Sequence, residues 1–363
     1  MVSSCDALVT ARATANPIGC HVRVTTDGRS YIPPDVERRP MTAGTHTAED
    51  VTLARLPSGV ELTATVHTYE GSDDGPTLYV QAAQHGREIN GTETLRRFHE
   101  RLPLESLSGT VVAVPVANPL TFDLVSYITP EEFDSVNPNM NRIWPGDEGG
   151  SLHQRMADTL WEEIEAADAI VDLHTGSPDM LPHVVYREGD EAARNLAEAF
   201  GTDLLLSEEA DDDASDEWHR RGFGGKLRVA AAQEGIPSIT PELSHNKHIL
   251  EDAVEIGVDG LLDVCRYLGM LPGEVPNREQ TVARNHLGQV TADDGGLFHP
   301  EPSLDVGQSI TAGTSIGTVY DPTTYEPLHE AAADRDGILY ALTQEATVVG
   351  GDQLASVALI REE

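Results

Sequence analysis

Three short stretches of this sequence carry side chains that can bind a metal ion and act on water. They are His-Gly-Arg-Glu at 85–88, Asp-Leu-His-Thr-Gly at 172–176 and Pro-Glu-Leu at 241–243. Two histidines and one carboxylate, with a fourth position left open, are a common ligand set of catalytic zinc sites. A His and a Glu three residues apart can reach one ion from a single loop, and a distant third ligand can then close the site. The three stretches together predict a metal site.

Each stretch directly follows a run of apolar residues. Residues 77–86, 168–176 and 236–245 read as buried strands that run into loops. Helical spacing, as in residues 91–102 and 151–167, alternates with these strands. This alternation predicts an α/β fold with a mostly parallel mixed sheet flanked by helices. Ligands bind at the carboxyl ends of the strands of such a sheet, so the three stretches are expected to meet there.

Strand periodicity adds a supporting residue behind one of the histidines. Asp172 and His174 are two residues apart, so their side chains point to the same side of a strand. We therefore expect Asp172 to support His174 from behind the metal. Farther along the chain, residues 202–207 read as another strand, and the acidic run at 208–217 reads as a solvated loop.

Composition divides the chain into three parts. Residues 1–40 hold four acidic residues and five arginines, whereas the whole chain has 61 acidic and 24 basic residues. We interpret residues 1–40 as a disordered or mis-annotated leader, with Met41 as the true start. Residues 41–275 carry the alternating strands and helices. In residues 276–363 short strands alternate with Gly, Pro and Asp turns, which predicts a small C-terminal all-β domain.

The net charge limits the partners of this protein. The formal charge is -37, and only two of the basic residues are lysines. Such a charge repels nucleic acid and anionic membranes, so neither is an expected partner. The acidic residues are spread along the chain, which we interpret as a halophilic adaptation; an acidic interaction surface is the alternative. With no long uncharged apolar stretch and no signal peptide, a cytoplasmic location is expected.

Five motifs resemble those of the succinylglutamate desuccinylase and aspartoacylase family, within the zinc carboxypeptidase superfamily. They are QHGREINGTE (84–93), VPVANPLTF (114–122), NMNRIWPG (139–146), DLHTG (172–176) and TPEL (240–243), in the family's order. The resemblance covers about residues 45–363. It implies one zinc ion per chain, held by His85, Glu88 and His174.

The resemblance also implies the catalytic and substrate-binding residues. Glu242 would be the catalytic carboxylate, which takes a proton from the attacking water and passes it to the leaving amine. Asn141 and Arg142 would grip a substrate carboxylate, since the planar guanidinium donates two parallel hydrogen bonds to such a group. Arg142 is thus expected to act both in binding and in catalysis.

Some positions depart from the family pattern. Arg87 occupies a position where the family often has Asp. The family often carries a further Arg between its N-P and N-R motifs, but residues 123–138 contain none. Tyr127 stands about where that Arg would be, so we expect Tyr127 to contact the substrate.

The predicted function is zinc-dependent hydrolysis of an amide bond in a small carboxylate-bearing substrate of the N-acyl amino acid type. The alternatives are a metallocarboxypeptidase acting on short peptides and a non-catalytic metal-binding scaffold. The C-terminal domain is similar to biotinyl-lipoyl carriers, but residues 276–363 contain no lysine, so it is expected to be unmodified and to shape the site or contact another subunit. Members of the family often form oligomers, so a homo-oligomer remains an open expectation.

Overall fold

The computed structural model describes residues 44–176, 179–210, 214–284 and 289–360. The leader predicted for residues 1–40 lies outside this range. Within it, the chain from residue 44 onward forms one compact unit. None of the helices among the described residues is long and apolar enough to cross a membrane.

The helices lie mainly in the first three quarters of the chain. They are α1 (Asn90–Arg101), α2 (Pro119–Asp123), α3 (Leu152–Ile164), α4 (Glu191–Phe200), α5 (Asp216–Arg220), α6 (Leu227–Gln233) and α7 (Glu251–Tyr267). Among the described residues, short 3-10 helices occupy Leu104–Ser106, Met140–Arg142 and Phe223–Gly225. Local signals fix several helix ends. For example, Ser151 and Gln154 form a capping box at the start of α3, and Gly201 ends α4 in a left-handed conformation.

Strands run through the whole described chain. Those of the first part are β1 (Thr45–Arg55), β2 (Glu61–Glu70), β3 (Asp73–Ala82), β4 (Ser108–Val114), β5 (Ala169–Gly176), β6 (Asp179–Met180), β7 (His183–Arg187), β8 (Leu204–Glu208) and β9 (Ser238–His245). Those of the C-terminal part are β10 (Thr281–Arg284), β11 (Gln289–Thr291), β12 (Gly296–Pro300), β13 (Ser309–Ile310), β14 (Ser315–Tyr320), β15 (Pro327–Ala332), β16 (Gly337–Leu342), β17 (Thr347–Val348) and β18 (Gln353–Ile360).

The central sheet is mixed and mostly parallel at the positions that carry the candidate site. Its strand order is β1-β2-β4-β3-β5-β9-β7-β8-β10-β18-β16-β13. The neighbouring strands β4, β3, β5 and β9 all run parallel to one another, so their carboxyl ends share one edge. Strand β7 lies antiparallel to β9 and parallel to β8. The predicted α/β fold with a mostly parallel mixed sheet is therefore confirmed.

Helices cover both faces of this sheet, and strand alternation explains how. In β3, Leu78 and Val80 belong to a buried apolar cluster with residues of α1, α4 and α7. Tyr79, between them, belongs to a second cluster on the other face with residues of α3 and α6. Successive side chains of a strand point to opposite faces, so a strand buried on both sides reads as one continuous apolar run.

The C-terminal strands extend the central sheet and also build a separate sheet. Strand β10 pairs in parallel with β8 and antiparallel with β18, so the C-terminal part is hydrogen-bonded to the α/β part. Strands β15, β14, β12 and β17 form a separate antiparallel sheet. This all-β texture after residue 281 agrees with the fold that the sequence predicted. The proposed boundary between residues 275 and 276 stays a prediction.

Candidate metal centre and its cavity

The structure brings His85, Glu88 and His174 together at the carboxyl edge of the sheet. One ligand atom from each of the three lies within 4.8 Å of the others, and all three side chains are buried. His85 and Glu88 lie in the loop between β3 and α1, where the backbone N–H of Glu88 donates to the carbonyl of His85 at 3.0 Å. This turn presents both side chains in one direction. His174 lies near the end of the neighbouring strand β5.

Both histidines direct Nδ1 towards Glu88 and have Nε2 next to another acceptor. His85 Nδ1 lies 2.9 Å from Glu88 Oε1, and His85 Nε2 lies 3.1 Å from Asn139 Oδ1. His174 Nδ1 lies 2.9 Å from Glu88 Oε2, and His174 Nε2 lies 2.9 Å from Asp172 Oδ2. A neutral imidazole carries one N–H. The outer acceptors therefore favour the proton on Nε2, which leaves the Nδ1 lone pairs for a cation.

The electrostatics of this cluster fit a divalent cation. Burial raises the pKa of Glu88, but His85 and His174 outweigh that effect and lower it to about 2. Burial lowers the pKa of His174, but Asp172 and Glu88 outweigh it and raise that pKa well above its usual value. The buried carboxylates of Glu88 and Asp172 are thus stabilised by positive charge between them. With two imidazole Nδ1 atoms and a carboxylate converging, this donor set suits zinc.

A buried hydrogen-bond network holds Asp172 in place behind His174. Gln84 Nε2 donates to both carboxylate oxygens of Asp172, at 2.9 and 2.7 Å. Gln81 donates to Oδ1 at 3.0 Å, and Trp144 Nε1 donates to Gln84 Oε1 at 2.8 Å. These bonds satisfy a carboxylate that is only 1% exposed, so Asp172 can remain charged there.

Glu242 lies on β9, beside the cluster and in register with His174 of β5. Burial raises its pKa from the ordinary value for a glutamate to about 7, and His174 opposes part of that rise. Among the described residues, the Glu242 carboxylate makes no hydrogen bond or ion pair. It is therefore free to exchange a proton with a water molecule or a substrate near neutral pH.

The other predicted site residues line the same cavity, which has a volume of about 430 Å³. Asn141 Oδ1 accepts the backbone N–H of Leu227 at 3.2 Å, so its amide is fixed beside His174. Arg142 Nε donates to the carbonyl of Arg221 at 2.9 Å, and burial lowers the Arg142 pKa. The ring of Tyr127 lies 4.1 Å from the ring of His85, centroid to centroid. The predicted metal ligands, Glu242 and the predicted substrate-binding residues thus all line one cavity.

Comparison with known proteins agrees with this geometry. The family model for the succinylglutamate desuccinylase/aspartoacylase catalytic domain matches residues 74–268. The chain belongs to this family. The match is longer than half of the chain and contains all three candidate ligands as well as Glu242.

Individual relatives resemble the chain over most of its length. It is 29% identical over 308 residues to the N-alpha-acetyl-L-2,4-diaminobutyric acid deacetylase of Halomonas elongata, covering 80% of this chain and 84% of that protein. A succinylglutamate desuccinylase/aspartoacylase structure from Rhodobacter sphaeroides has a TM-score of 0.74 and 25% identity, and covers 88% of this chain and 96% of that one. The product-bound ectoine utilization protein EutE of Ruegeria pomeroyi shares the fold, with a TM-score of 0.75, 22% identity, and coverage of 89% and 98%.

Three charged residues of this family member were missed by the sequence analysis. Glu208 was assigned to a solvated loop, but that assignment is wrong, because Glu208 is the last residue of β8 and only 3% exposed. Lys226 Nζ lies 3.0 Å from Glu208 Oε1, and Arg228 pairs with Glu208 Oε2. Lys226 and Arg228 line the cavity. The one available signal was that Lys226 is one of only two lysines.

The C-terminal strands and the loops between them also supply part of the cavity lining in this family member. Tyr340, Glu345, Asp352 and Ser356 all contribute to it. Burial raises the pKa of Tyr340 to about 12, so its hydroxyl stays protonated. The candidate metal ligands come from one part of the chain, and a large share of the cavity wall comes from another.

Proposed function

We propose that this protein is a zinc-dependent hydrolase of N-acyl amino acids. It would cleave the amide bond to release the acyl group as a carboxylate and the amino acid as a free amine. The observation that carries the proposal is the unbonded Glu242 carboxylate, which lies in one cavity with the buried His85, Glu88 and His174. A general base beside a metal-ligand cluster is the arrangement that metal-assisted hydrolysis requires.

The side chains divide the chemistry among them. His85, Glu88 and His174 would hold the zinc ion, which when bound lowers the pKa of water and polarises a carbonyl group. Glu242 accepts a proton from the attacking water and delivers it to the nitrogen of the leaving amine. Burial favours the protonated form of Glu242, so the carboxylate can hold the proton between the two steps.

Two neighbouring groups would orient the substrate. Arg142 binds its carboxylate, and the Asn141 amide beside it contributes a further donor. The Tyr127 hydroxyl interacts with the Arg142 guanidinium, and Tyr127 lines the same cavity. It would contact the substrate as a third group. Holding the carboxylate at a fixed distance from Glu242 would place the amide bond for attack.

The family and the Halomonas relative support an N-acyl amino acid as the substrate class. The family is named for enzymes that act on N-acylated glutamate and aspartate, and the relative is named as an N-acetyl-diaminobutyrate deacetylase. All of these are small amides that carry a carboxylate. The net charge of -37 supports a small molecule rather than nucleic acid or an anionic membrane as the partner. A cytoplasmic location and a homo-oligomeric state remain proposals.

The decisive experiment combines metal analysis with a substrate panel in molar salt. The panel contains Nα-acetyl-L-2,4-diaminobutyrate, N-acetyl-L-aspartate, N-succinyl-L-glutamate and the dipeptide Ala-Glu. Glu242→Gln is expected to keep one zinc per chain and to lose at least about 100-fold in kcat. The matched control is Glu234→Gln, because Glu234 is an exposed glutamate after α6.

Each result has a clear meaning. Hydrolysis of acyl amino acids by the wild type and by the Glu234→Gln variant, with loss only in Glu242→Gln, supports the proposal. Cleavage of the dipeptide alone would replace it with a carboxypeptidase. Bound zinc without turnover of any compound would favour the scaffold, and folded protein that takes up no zinc would overturn the metal centre.

A further inference from the structure

One wall of the cavity holds more buried positive charge than its carboxylates balance. Lys226 and Arg228 both pair with the single carboxylate of Glu208. The side chains of Glu208 and Arg228 are each 3% exposed, and that of Lys226 is 12% exposed. Two cations against one carboxylate leave an excess charge in a place where charge is costly unless it is paired.

Arg142 adds a second unbalanced charge to this wall. Its hydrogen bonds run to the backbone carbonyls of Arg221 and Asn141, and it interacts with the Tyr127 hydroxyl. In the part of the chain that the structure describes, no carboxylate lies within ion-pair distance of Arg142. Burial lowers the Arg142 pKa, and Tyr127 and Glu208 offset only part of that effect.

The Phe223 ring brings the two cations close together. Lys226 Nζ lies 3.7 Å from the centroid of this ring, and the Arg142 guanidinium carbon lies 4.6 Å from it. The two groups therefore cannot be more than about 8 Å apart. A carboxylate accepts hydrogen bonds of about 2.8 Å on each of its two oxygens, so a single carboxylate can span such a gap.

We propose that a carboxylate of the substrate binds Lys226 and Arg142 at the same time, beside the Phe223 ring. Lys226 would then determine specificity for the carboxylate of the leaving amino acid. The inference rests on the proposed function only for the identity of the ligand. The bridging anion supplies the negative charge that this wall lacks. Glu208 and Phe223 then act as positioning residues, because they hold the ammonium in place from behind.

The use of lysine at this position is itself informative. The chain has 24 basic residues, yet only Lys226 and Lys247 are lysines. A lysine ammonium is a compact charge with three donors, which can meet Glu208, the ring and a ligand at the same time.

Lysine also makes the binding dependent on pH. Burial lowers the pKa of Lys226 to about 8; Glu208 on β8 opposes this, while Arg228 on α6 and the neighbouring Arg142 reinforce it. Glu242 on β9 interacts with Lys226 as well. Lys226 loses its proton as the pH rises through about 8, so its attraction for a carboxylate is present below that pH and weakens above it.

The test measures binding without turnover. Calorimetric titrations of Glu242→Gln protein loaded with zinc compare Nα-acetyl-L-2,4-diaminobutyrate with its carboxamide, which lacks the carboxylate charge. Adding Lys226→Met is expected to weaken binding of the carboxylate ligand by roughly 10- to 100-fold and to leave the carboxamide unaffected. Arg228 still pairs with Glu208 in that variant, so the buried carboxylate stays satisfied.

Two further variants sharpen the test. Lys226→Arg is expected to remove the loss of affinity above pH 8, because arginine keeps its charge. Lys247→Met is the matched control, since Lys247 is exposed, and it should bind both ligands like the parent protein. An unchanged carboxylate affinity in Lys226→Met, or an equal loss for both ligands, would overturn the inference. If the parent protein binds neither ligand, that result contradicts the proposed function and therefore also the inference.

Discussion

Both histidines of the metal centre are oriented by residues that lie behind them. Asn139 Oδ1 lies against His85 Nε2, and Asp172 Oδ2 lies against His174 Nε2. Metal-bound histidines usually donate their second ring N–H to such an acceptor, which fixes the tautomer and the ring orientation. Here one acceptor is an amide and the other a carboxylate, so a negative charge lies behind His174 and a neutral group behind His85.

Replacing Asp172 with Asn tests how much the carboxylate contributes to metal binding. The change removes the negative charge and turns one oxygen into a donor that faces the amides of Gln81 and Gln84. Zinc affinity is expected to fall about 10- to 100-fold. A competition titration against a chelator measures this. The control is Asp168→Asn, an exposed change immediately before the same strand; equal affinities in the two variants would contradict the prediction.

The sequence could predict those site residues that belong to short motifs at strand ends. His85, Glu88, His174 and Glu242 are of this kind, and the structure places all four at one edge of the sheet. Lys226 and Glu208 could not be found in that way. Their pairing depends on the strand order, in which β8 lies two strands away from β9 with the antiparallel β7 between them. No local sequence pattern predicts that strand order.

Among the elements, two short segments that contribute residues to the cavity wall lie in direct contact. The backbone N–H of Trp144 donates to the carbonyl of Gly225 at 3.0 Å. A Cβ atom added to Gly225 would lie 1.8 Å from the backbone carbonyl oxygen of Arg142. Glycine therefore lets the segment that carries Phe223 and Lys226 approach the segment that carries Asn141 and Arg142.

The substitution Gly225→Ala should separate these segments. We expect KM for the acyl amino acid to rise at least about 10-fold while zinc content stays at one per chain, because the metal ligands lie on other segments. Steady-state kinetics with metal analysis measures this. Gly224→Ala is the matched control, since its added Cβ would only reach ordinary contact with the Trp218 ring at 3.5 Å. Identical KM values for the two variants would show that the close approach has no role.

For the whole molecule, charge dominates the expected behaviour. Ion pairs connect the surface helices; on α1, for example, Arg97 contacts Glu93 of its own helix and both Glu251 and Glu255 of α7. Such exposed pairs contribute little individually. The net charge of -37 therefore leaves a large self-repulsion that only dissolved ions can screen.

Stability is accordingly expected to depend steeply on ionic strength. The Debye length falls from about 10 Å at 0.1 M salt to about 3 Å at 1 M, so the unfolding midpoint should rise markedly over that interval. Thermal unfolding followed by circular dichroism in a potassium chloride series measures this. A sucrose series of equal osmolarity is the control for water activity. A midpoint that does not change with salt would remove the halophilic interpretation.

The division of the cavity wall between two parts of the chain affects how this enzyme can diversify. The candidate metal ligands and Glu242 lie within residues 74–268, whereas Tyr340, Glu345, Asp352 and Ser356 come from the C-terminal strands and their loops. Mutations in those strands can alter the size and polarity of the pocket without displacing the reacting groups. The substrate range can therefore change during evolution while the metal ligands and Glu242 are kept. For the same reason, the C-terminal strands are the region to randomise in directed evolution.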